Sequence, residues 1–221
     1  MTFRNGRIHL DPLELTAMNT GYATRHIYAL GVAKECAALG ARSRTIEYVS
    51  GVSRGEIRRF FFSDRASAPR GRAPDSHDWY HSANLPSRAE ASILVSIYRR
   101  IRGLGFGPAE GLVSGYKHYL AVCGVHPRIR FDRAFQLASY VDGVWIVRVP
   151  NLSLVTCPAC ACQYLASMGA KTVTNSECPF CKLVKRYPRD PRIQTSFPVK
   201  VMPDIYAMKV GAIALSEPKR A

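Results

Sequence analysis

The stretch CPACACQYLASMGAKTVTNSECPFC, residues 157–181, contains five of the seven cysteines of the chain. Four of them form two Cys-x-x-Cys units, Cys157/Cys160 and Cys178/Cys181. Two intervening residues let both thiolates of one turn face the same ion, and two such turns complete a tetrahedral site with metal–sulfur distances of about 2.3 Å. The spacing between the two units is also typical of zinc sites. The sequence therefore predicts one structural Zn²⁺ per chain, held by these four cysteines.

Other chemistries stay open for this cluster. Four thiolates can also hold an iron–sulfur cluster, and one Cys-x-x-Cys unit can form a redox dithiol, although no βαβ pattern surrounds these cysteines. Cys162 is separated from Cys160 by a single residue. We interpret Cys162 as a spare thiol, with exchange between ligands as the alternative. Because four thiolates leave no open coordination position, we expect the site to stabilise the fold and not to catalyse.

The charge of the chain favours a polyanionic partner. Lys and Arg total 31 against 16 Asp and Glu, which gives a formal net charge of +15. Such an excess is typical of proteins that bind DNA or RNA. It does not favour a membrane partner, because the basic residues are not gathered on an amphipathic helix beside a Trp/Leu face.

The sequence also predicts a compartment. It begins without the apolar core of a signal peptide, and no uninterrupted apolar run of about 18 residues occurs in it. We therefore expect a cytoplasmic protein. In that reducing environment clustered cysteines bind metal more often than they form disulfides.

Hydrophobic periodicity predicts a mainly α-helical fold. Apolar side chains recur at helical spacing in several segments, while Val144–Val149, the segment VWIVRV, is β-branched and aromatic and favours a short strand. In one helix, Ser87 and Glu90 have the spacing of a capping box. The predicted helices cover residues 22–39, 43–49, about 108–122, 131–142 and a segment that begins at Pro86–Ser87.

Composition changes along the chain suggest four parts. The segment SDRASAPRGRAPDSHD, residues 63–78, is rich in Pro, Gly, Ser and Arg and is typical of a loop within the helical part. The predicted parts are an N-terminal arm (1–20), a helical domain (21–143) with a helix-turn-helix-like unit near 43–62, a small zinc-ribbon-like lobe with short strands (144–186), and a basic, partly disordered tail (187–221).

Residues 45–60, TIEYVSGVSRGEIRRF, have the spacing of apolar residues and glycine that is typical of a helix-turn-helix unit. Gly51 suits the left-handed backbone position between two helices. Val52 and Ile57 are placed to lock the helices together. Glu47 stands where such units usually have a small residue, so a basic helical hairpin that only packs is the alternative to a DNA-reading unit.

The second helix of this unit is predicted to begin at Ser53, with Glu56 completing a capping box. Its arginines would then project toward phosphates or guanine edges. For any single basic residue a solvated surface charge is an equally good interpretation, so the prediction depends on the clusters. The candidate DNA contacts are Arg54, Arg58 and Arg59 on this helix, Arg65, Arg70 and Arg72 in the loop after it, and Lys182, Lys185 and Arg186 beside the second cysteine pair.

An enzymatic function would depend on Asp78, which lies between His77 and His81 and next to Trp79. Such a group could bind a metal ion or transfer protons. The triplet falls, however, at a junction of loop and helix, where Asp is commonly a cap and Trp a core anchor. We therefore expect no catalytic site.

Several short motifs follow one another in an order that is characteristic of one family. They are LGAR (39–42), VSRGEIRRF (52–60), GRAP (71–74), SHDWY (76–80), GYKHYL (115–120), FDRAFQLASYVDG (131–143) and the paired cysteines (157–181). Taken together, they resemble FlhC, the family of flagellar transcriptional activators. The likeness covers roughly residues 25–185.

The resemblance implies a specific function. Proteins of this family are not enzymes; they assemble with FlhD into a hetero-oligomer, bind double-stranded DNA upstream of flagellar operons and recruit RNA polymerase. The family's structural zinc is held by four cysteines, which correspond here to Cys157, Cys160, Cys178 and Cys181. An RNA- or ribosome-associated zinc-ribbon protein is the alternative that the same charge and cysteines would permit.

Overall fold

The computed structural model describes residues 12–64, 68–69, 71, 76, 78–124, 127–168 and 177–197, with side chains from residue 21 onward. Within these residues the chain is mainly helical and has one two-stranded antiparallel sheet, which confirms the predicted fold class. The elements are α1 (Pro12–Ala38), α2 (Ser43–Ser50), α3 (Arg54–Phe61), α4 (Asp78–Ser82), α5 (Leu85–Gly103), α6 (Pro108–Cys123), α7 (Phe131–Asp142), β1 (Leu152–Thr156), β2 (Gln163–Ser167), α8 (Pro179–Arg186) and α9 (Pro191–Ser196).

Helix α1 is longer than the sequence predicts. It begins at Pro12, not near residue 22, so the helix extends into the segment predicted as an N-terminal arm; residues 1–11 lie outside the described residues. Its end agrees with the prediction, because Gly40 follows with a φ of 79°. The Gly40 N–H donates to the carbonyl of Ala37, and the next N–H donates to Cys36. Glycine adopts this left-handed conformation without steric cost, which explains the stop.

Helix α5 lies at the centre of the fold, in contact with α6, α7, α8 and both strands. Its buried side chains Leu94 and Tyr98 join a continuous apolar core with residues from α6 and α7. Leu152 of β1 and Leu165 of β2 belong to the same core. The cysteine-containing hairpin therefore joins the helical core through its leucines, while Tyr164 of β2 packs with Cys157 and Cys178 in a second, smaller cluster.

A buried acid in α5 explains why the predicted capping box of this helix is wrong. The cap is Asn84, whose side-chain oxygen accepts a hydrogen bond from the Ser87 N–H at 2.9 Å. Glu90 instead points into the fold and is 2% exposed. It accepts hydrogen bonds from the Tyr119 hydroxyl at 2.5 Å and from the Arg128 backbone N–H at 2.9 Å, and it also pairs with the Arg128 guanidinium. Glu90 thus connects α5 to α6 and to the loop after it.

The strand predicted at residues 144–149 is also wrong, because this segment forms turns. Trp145 adopts a φ of 57°, which no strand allows, and its ring packs on Phe135 with 5.2 Å between centroids. Packing onto α7 therefore overrides the β propensity of the segment. The sheet starts at Leu152 instead, and β1 pairs with β2 in the register Leu152 with Ser167 through Thr156 with Gln163.

The first part of the predicted tail is folded. Residues 187–189 form one turn of 3₁₀ helix, α9 follows, and the Tyr187 hydroxyl donates to the carbonyl of Phe197 at 3.2 Å. The guanidinium of Arg128 lies 5.2 Å from the centroid of the Phe197 ring, so the segment packs against the helical core. Residues 198–221 lie outside the described residues. Among the helices that the structure describes, none is both long enough and apolar enough to cross a bilayer.

Candidate metal centre and basic surface

The structure brings together the four cysteines of the two Cys-x-x-Cys units. Their Sγ atoms all lie within 4.8 Å of one another; the Cys157–Cys181 distance is 3.8 Å and the Cys160–Cys178 distance 3.7 Å. All four are free thiols. Four sulfurs bound tetrahedrally at about 2.3 Å from one ion are about 3.8 Å apart. The four thiols therefore fit the corners of a tetrahedral metal site.

Two local structures place these thiols. The first pair lies in the turn between β1 and β2, where the Cys157 N–H donates to the Cys162 carbonyl and the Ala161 N–H donates to the Cys157 carbonyl, both at 2.9 Å. Cys178 directly precedes α8, and Cys181 lies in its first turn. The positive end of a helix dipole stabilises thiolates at this position. Cys157 and Cys178 are buried, so the site closes against the sheet.

The thiols influence one another's ionisation. The pKa of Cys181 is raised to about 12, chiefly by hydrogen bonding with the Cys160 thiol. The pKa of Cys160 is lowered to about 7, chiefly by a backbone hydrogen bond from Cys162. Four neighbouring thiolates repel one another unless a cation lies among them. Four sulfur donors can bind a metal ion, and the set is consistent with Zn²⁺.

Cys162 is exposed and lies outside the group of four. Its backbone has a role in the turn, because its carbonyl accepts the Cys157 N–H. A hydrogen bond with the Cys160 thiol is the chief reason that the pKa of the Cys162 thiol is raised. Cys162 is therefore a neighbour of the site, and its description as spare stays a prediction.

Tyr80, the last residue of the SHDWY motif, and His81, which follows it, anchor the hairpin that carries the first cysteine pair. The Tyr80 hydroxyl donates to the Leu165 carbonyl at 2.6 Å, and His81 Nε2 lies 2.9 Å from the Ser167 hydroxyl. Both partners are in β2. Hydrophobic periodicity in the sequence could not reveal that these residues anchor β2. The one signal in the sequence was the motif SHDWY, with its two aromatic residues, at the start of a helix.

The residues of the enzymatic alternative are engaged in such structural contacts. The carboxylate of Asp78 accepts a hydrogen bond from the Ser76 hydroxyl at 2.7 Å, whereas the His81 side chain is directed to Ser167. Trp79 donates to the side-chain oxygen of Gln136 at 2.9 Å. His77 lies outside the described residues.

Helices α2 and α3 form the predicted hairpin. Gly51 has a φ of 75° between them, and Val52 and Ile57 are buried. The predicted capping box at the start of α3 is confirmed, since Ser53 and Glu56 each accept the other's backbone N–H at 3.3 Å. Contacts of this kind fix the direction of a short helix.

A second buried acid, which no sequence pattern marks, fixes the hairpin to the core. Asp132 of α7 is 4% exposed and accepts hydrogen bonds from the Arg42 N–H at 3.1 Å and from the Thr45 hydroxyl at 2.6 Å. It also forms an ion pair with the Arg42 guanidinium. Asp132 thereby holds the N-terminal end of α2 against α7. No regular spacing links these residues, so only the fold could reveal the network.

The hairpin exposes the predicted arginines on α3. Arg54, Arg58 and Arg59 are all exposed. Arg54 Nε lies 2.6 Å from Glu47 Oε2 on α2, so the residue that departs from the usual helix-turn-helix pattern forms an ion pair across the hairpin. The guanidinium of Arg59 lies 5.6 Å from the centroid of the Phe60 ring.

The other predicted basic residues are distributed elsewhere. Lys182 Nζ lies 2.5 Å from Glu177 Oε2, while Lys185 and Arg186 are exposed in the last turn of α8, which packs on α5. The three loop candidates, Arg65, Arg70 and Arg72, lie outside the described residues.

The helix-turn-helix-like hairpin with its exposed arginines and the compact four-cysteine centre lie on one α-helical core. This combination is consistent with a regulator of transcription. The sequence model of the family "Flagellar transcriptional activator (FlhC)" matches residues 23–193. The chain belongs to this family, and it is thus a flagellar transcriptional regulator, which is not a class of enzyme.

Curated relatives agree with the family match. The chain is similar to the flagellar transcriptional regulator FlhC of Cupriavidus metallidurans, 24% identical over 204 residues that cover 89% of this chain and 92% of the relative. The same regulator of Serratia marcescens is 25% identical over 177 residues, 76% of this chain and 87% of the relative. That of Xenorhabdus nematophila is 32% identical over 120 residues, 50% of this chain and 60% of the relative.

Proposed function

We propose that this chain is a DNA-binding activator of flagellar genes. It acts in the cytoplasm in a hetero-oligomer with FlhD, binds double-stranded promoter DNA and recruits RNA polymerase. The observation that carries the proposal is the exposure of Arg54, Arg58 and Arg59 on one short helix whose direction is fixed by buried contacts.

The rigidity of α3 matters for DNA binding. Its N-terminus is closed by the Ser53–Glu56 capping box, and Ile57 is fully buried beneath it. Asp132 holds the preceding helix against the core. Arginines on a fixed helix lose less conformational freedom on contact with phosphates than arginines on a loop.

In this proposal Zn²⁺ is structural, one ion per chain, and its ligands are Cys157, Cys160, Cys178 and Cys181. The Sγ separations of 3.7 and 3.8 Å support the assignment. Zinc binding would fasten the start of α8 to the turn between β1 and β2, and so fix Lys185 and Arg186 relative to the sheet. Zn²⁺ bound by four thiolates has no open position for a substrate.

The basic residues outside α3 supplement it. Lys182, Lys185 and Arg186 on α8, together with Arg70 and Arg72 in the loop after α3, are further candidate phosphate contacts. The formal net charge of +15 supports binding to a polyanion of either kind. The family match favours duplex promoter DNA over RNA.

The test is co-expression of the full chain with a candidate FlhD, followed by purification and gel-shift titration. Three labelled probes are compared at the same salt concentration: a flagellar promoter duplex, an unrelated duplex of equal length, and an RNA of the same sequence. We expect a stable complex that prefers the flagellar duplex. Failure to co-purify with FlhD, or equal affinity for the three probes, would contradict the proposal.

A further inference from the structure

An apolar groove runs between α1 and α3. We define the α1/α3 groove by its lining residues, Leu30, Gly31 and Lys34 on α1 and Phe60 and Phe61 on α3. Gly31 leaves open space in the groove, since a Cβ built there would meet no heavy atom within 4 Å. A glycine in the middle of a 27-residue helix costs about 1 kcal/mol of helix stability relative to alanine.

The groove is continuous with exposed apolar side chains. Phe60 is 52% exposed, and Ile27, one turn before Gly31 on the same side of α1, is 70% exposed. Apolar surface of this kind, bordered by polar groups, is typical of a protein–protein contact. A nucleic acid phosphate would gain nothing in an apolar groove, so the occupant is a protein.

Charge decides between possible protein occupants. Among the described residues that line the groove, Lys34 is the one with a polar side chain. It has no salt-bridge partner among the described residues. A second copy of this chain would bring another formal net charge of +15 to the groove, and another Lys34 if it bound through the same surface. Like charges at close range oppose such pairing, whereas a carboxylate on the occupant would satisfy Lys34.

We infer that the α1/α3 groove is the docking surface for an amphipathic helix of the partner subunit, which inserts an apolar side chain over Gly31 and places an Asp or Glu opposite Lys34. This inference rests on the proposed hetero-oligomer, whose contact surface it specifies. A helix laid into an apolar groove is a common mode of recognition. The missing side chain at Gly31 lets the two helices approach closely.

The proposed partner contact and the proposed DNA contact lie on different sides of α3. Glu56 and Phe60, one turn apart, lie on the side of α3 that faces α1, where Glu56 Oε1 is 3.3 Å from His26 Nε2. Arg54 and Arg58, also one turn apart, lie on another side of the helix, next to α2, where Arg54 meets Glu47. One short helix can therefore contact a partner and a duplex at once.

The test fills the groove without disturbing the fold. Gly31→Leu occupies the position of the inserted side chain, and since it replaces a helical glycine it should not lower the melting temperature of the chain. Gly21→Leu is the matched control, because Gly21 is exposed on the same helix, lies outside the groove and also has no heavy atom near a built Cβ. Lys34→Glu tests the charge, with Arg100→Glu on exposed α5 surface as its control.

Each full-length variant is co-expressed with a tagged candidate FlhD, and the complex is diluted and sedimented to obtain its Kd. We expect Gly31→Leu and Lys34→Glu to raise the Kd at least about 10-fold, with both controls within about 2-fold of the unmodified chain. A complex that forms normally but is insensitive to Gly31→Leu, or equally sensitive to Gly21→Leu, overturns the inference and leaves the proposed function intact.

Two further outcomes are informative. If the unmodified chain forms no complex with FlhD, the proposed hetero-oligomer fails and the inference fails with it. If the chain alone sediments as a dimer that Gly31→Leu dissociates, the groove binds a second copy and the inference is wrong.

Discussion

The Tyr80 hydroxyl donates a 2.6 Å hydrogen bond to the carbonyl oxygen of Leu165, and so ties α4 to the strand that follows the first cysteine pair. Both groups are buried, with Tyr80 only 1% exposed. The N–H of Leu165 is also satisfied from outside the sheet, since it donates to the Ser92 hydroxyl of α5 at 3.1 Å. These polar contacts to β2, together with the burial of Leu165 in the core, help to orient the four-cysteine centre relative to the helices.

Tyr80→Phe should lower the free energy of unfolding by about 1–2 kcal/mol, because it leaves the Leu165 carbonyl buried without its donor. Urea unfolding of the purified chain measures the change. Tyr48→Phe is the control, since this tyrosine is 39% exposed and lies at the surface of the hairpin. Equal stability of Tyr80→Phe and Tyr48→Phe would contradict the role of the contact.

The purified chain should contain about one zinc per molecule, and Cys178→Ser should abolish metal binding and reduce solubility. Cys162→Ser should retain the metal, because Cys162 lies outside the group of four sulfurs. Elemental analysis by mass spectrometry measures both variants. Iron with an absorbance of an iron–sulfur cluster, or loss of zinc from Cys162→Ser alone, would show that the assignment of metal or ligands is wrong.

Asp142 predicts a pH dependence of stability. Burial alone would raise the pKa of this carboxyl, but hydrogen bonds from Arg102, Tyr98 and Arg99 outweigh burial and lower it. Since the folded pKa lies below the unfolded value of about 3.9, the stabilisation is complete above that value and is lost as the pH falls through the folded pKa.

Asp142→Asn should therefore cost roughly 2 kcal/mol at pH 7. The difference from the unmodified chain should stay constant down to about pH 5 and shrink below about pH 4. Urea titrations between pH 3.5 and 7, on the order of one-unit steps, measure it. A difference that grows on acidification would have the opposite sign to the one that a lowered pKa requires.

Glu47→Gln should strengthen DNA binding by the FlhD complex by about 2–5-fold near 0.1 M salt, because Arg54 loses its ion-pair partner and a negative charge leaves the arginine surface. Fluorescence anisotropy with a labelled promoter duplex measures the affinity. Glu35→Gln removes a carboxylate that pairs with Lys117 on a different surface and should have no effect. Identical shifts for the two variants would mean that only net charge matters.

The sequence predicted most helices because local signals determine them. Helix α7 coincides with the predicted 131–142, and α6 differs by one residue at its end. The α2–α3 hairpin was recognisable because Gly51, Ser53 and Glu56 act on their immediate neighbours. The grouping of the four cysteines into one site could also be predicted, since a spacing of two residues by itself brings the thiols of each pair together.

The strand and the capping box were predicted wrongly because contacts between residues distant in sequence determine the structure there. Val144–Val149 has the composition of a strand, but the ring of Trp145 packs on Phe135 and bends the chain. Glu90 has the spacing of a capping residue, yet Tyr119 and Arg128, distant in sequence, draw it into the core. For the same reason the contacts of Asp132 and Tyr80 could not be predicted from the sequence.

The proposed function requires that the exposed arginines of α3 bind promoter DNA. To test this directly, the double variant Arg58→Ala/Arg59→Ala of this chain is purified in complex with FlhD, and its Kd for promoter DNA is measured at several salt concentrations. The control is Arg100→Ala, on the exposed surface of α5. We expect the double variant to lose at least about 10-fold in affinity near 0.1 M salt and to reduce the slope of log Kd against log salt by about 2, with little change for Arg100→Ala. An unchanged slope and affinity in the double variant would contradict the claim.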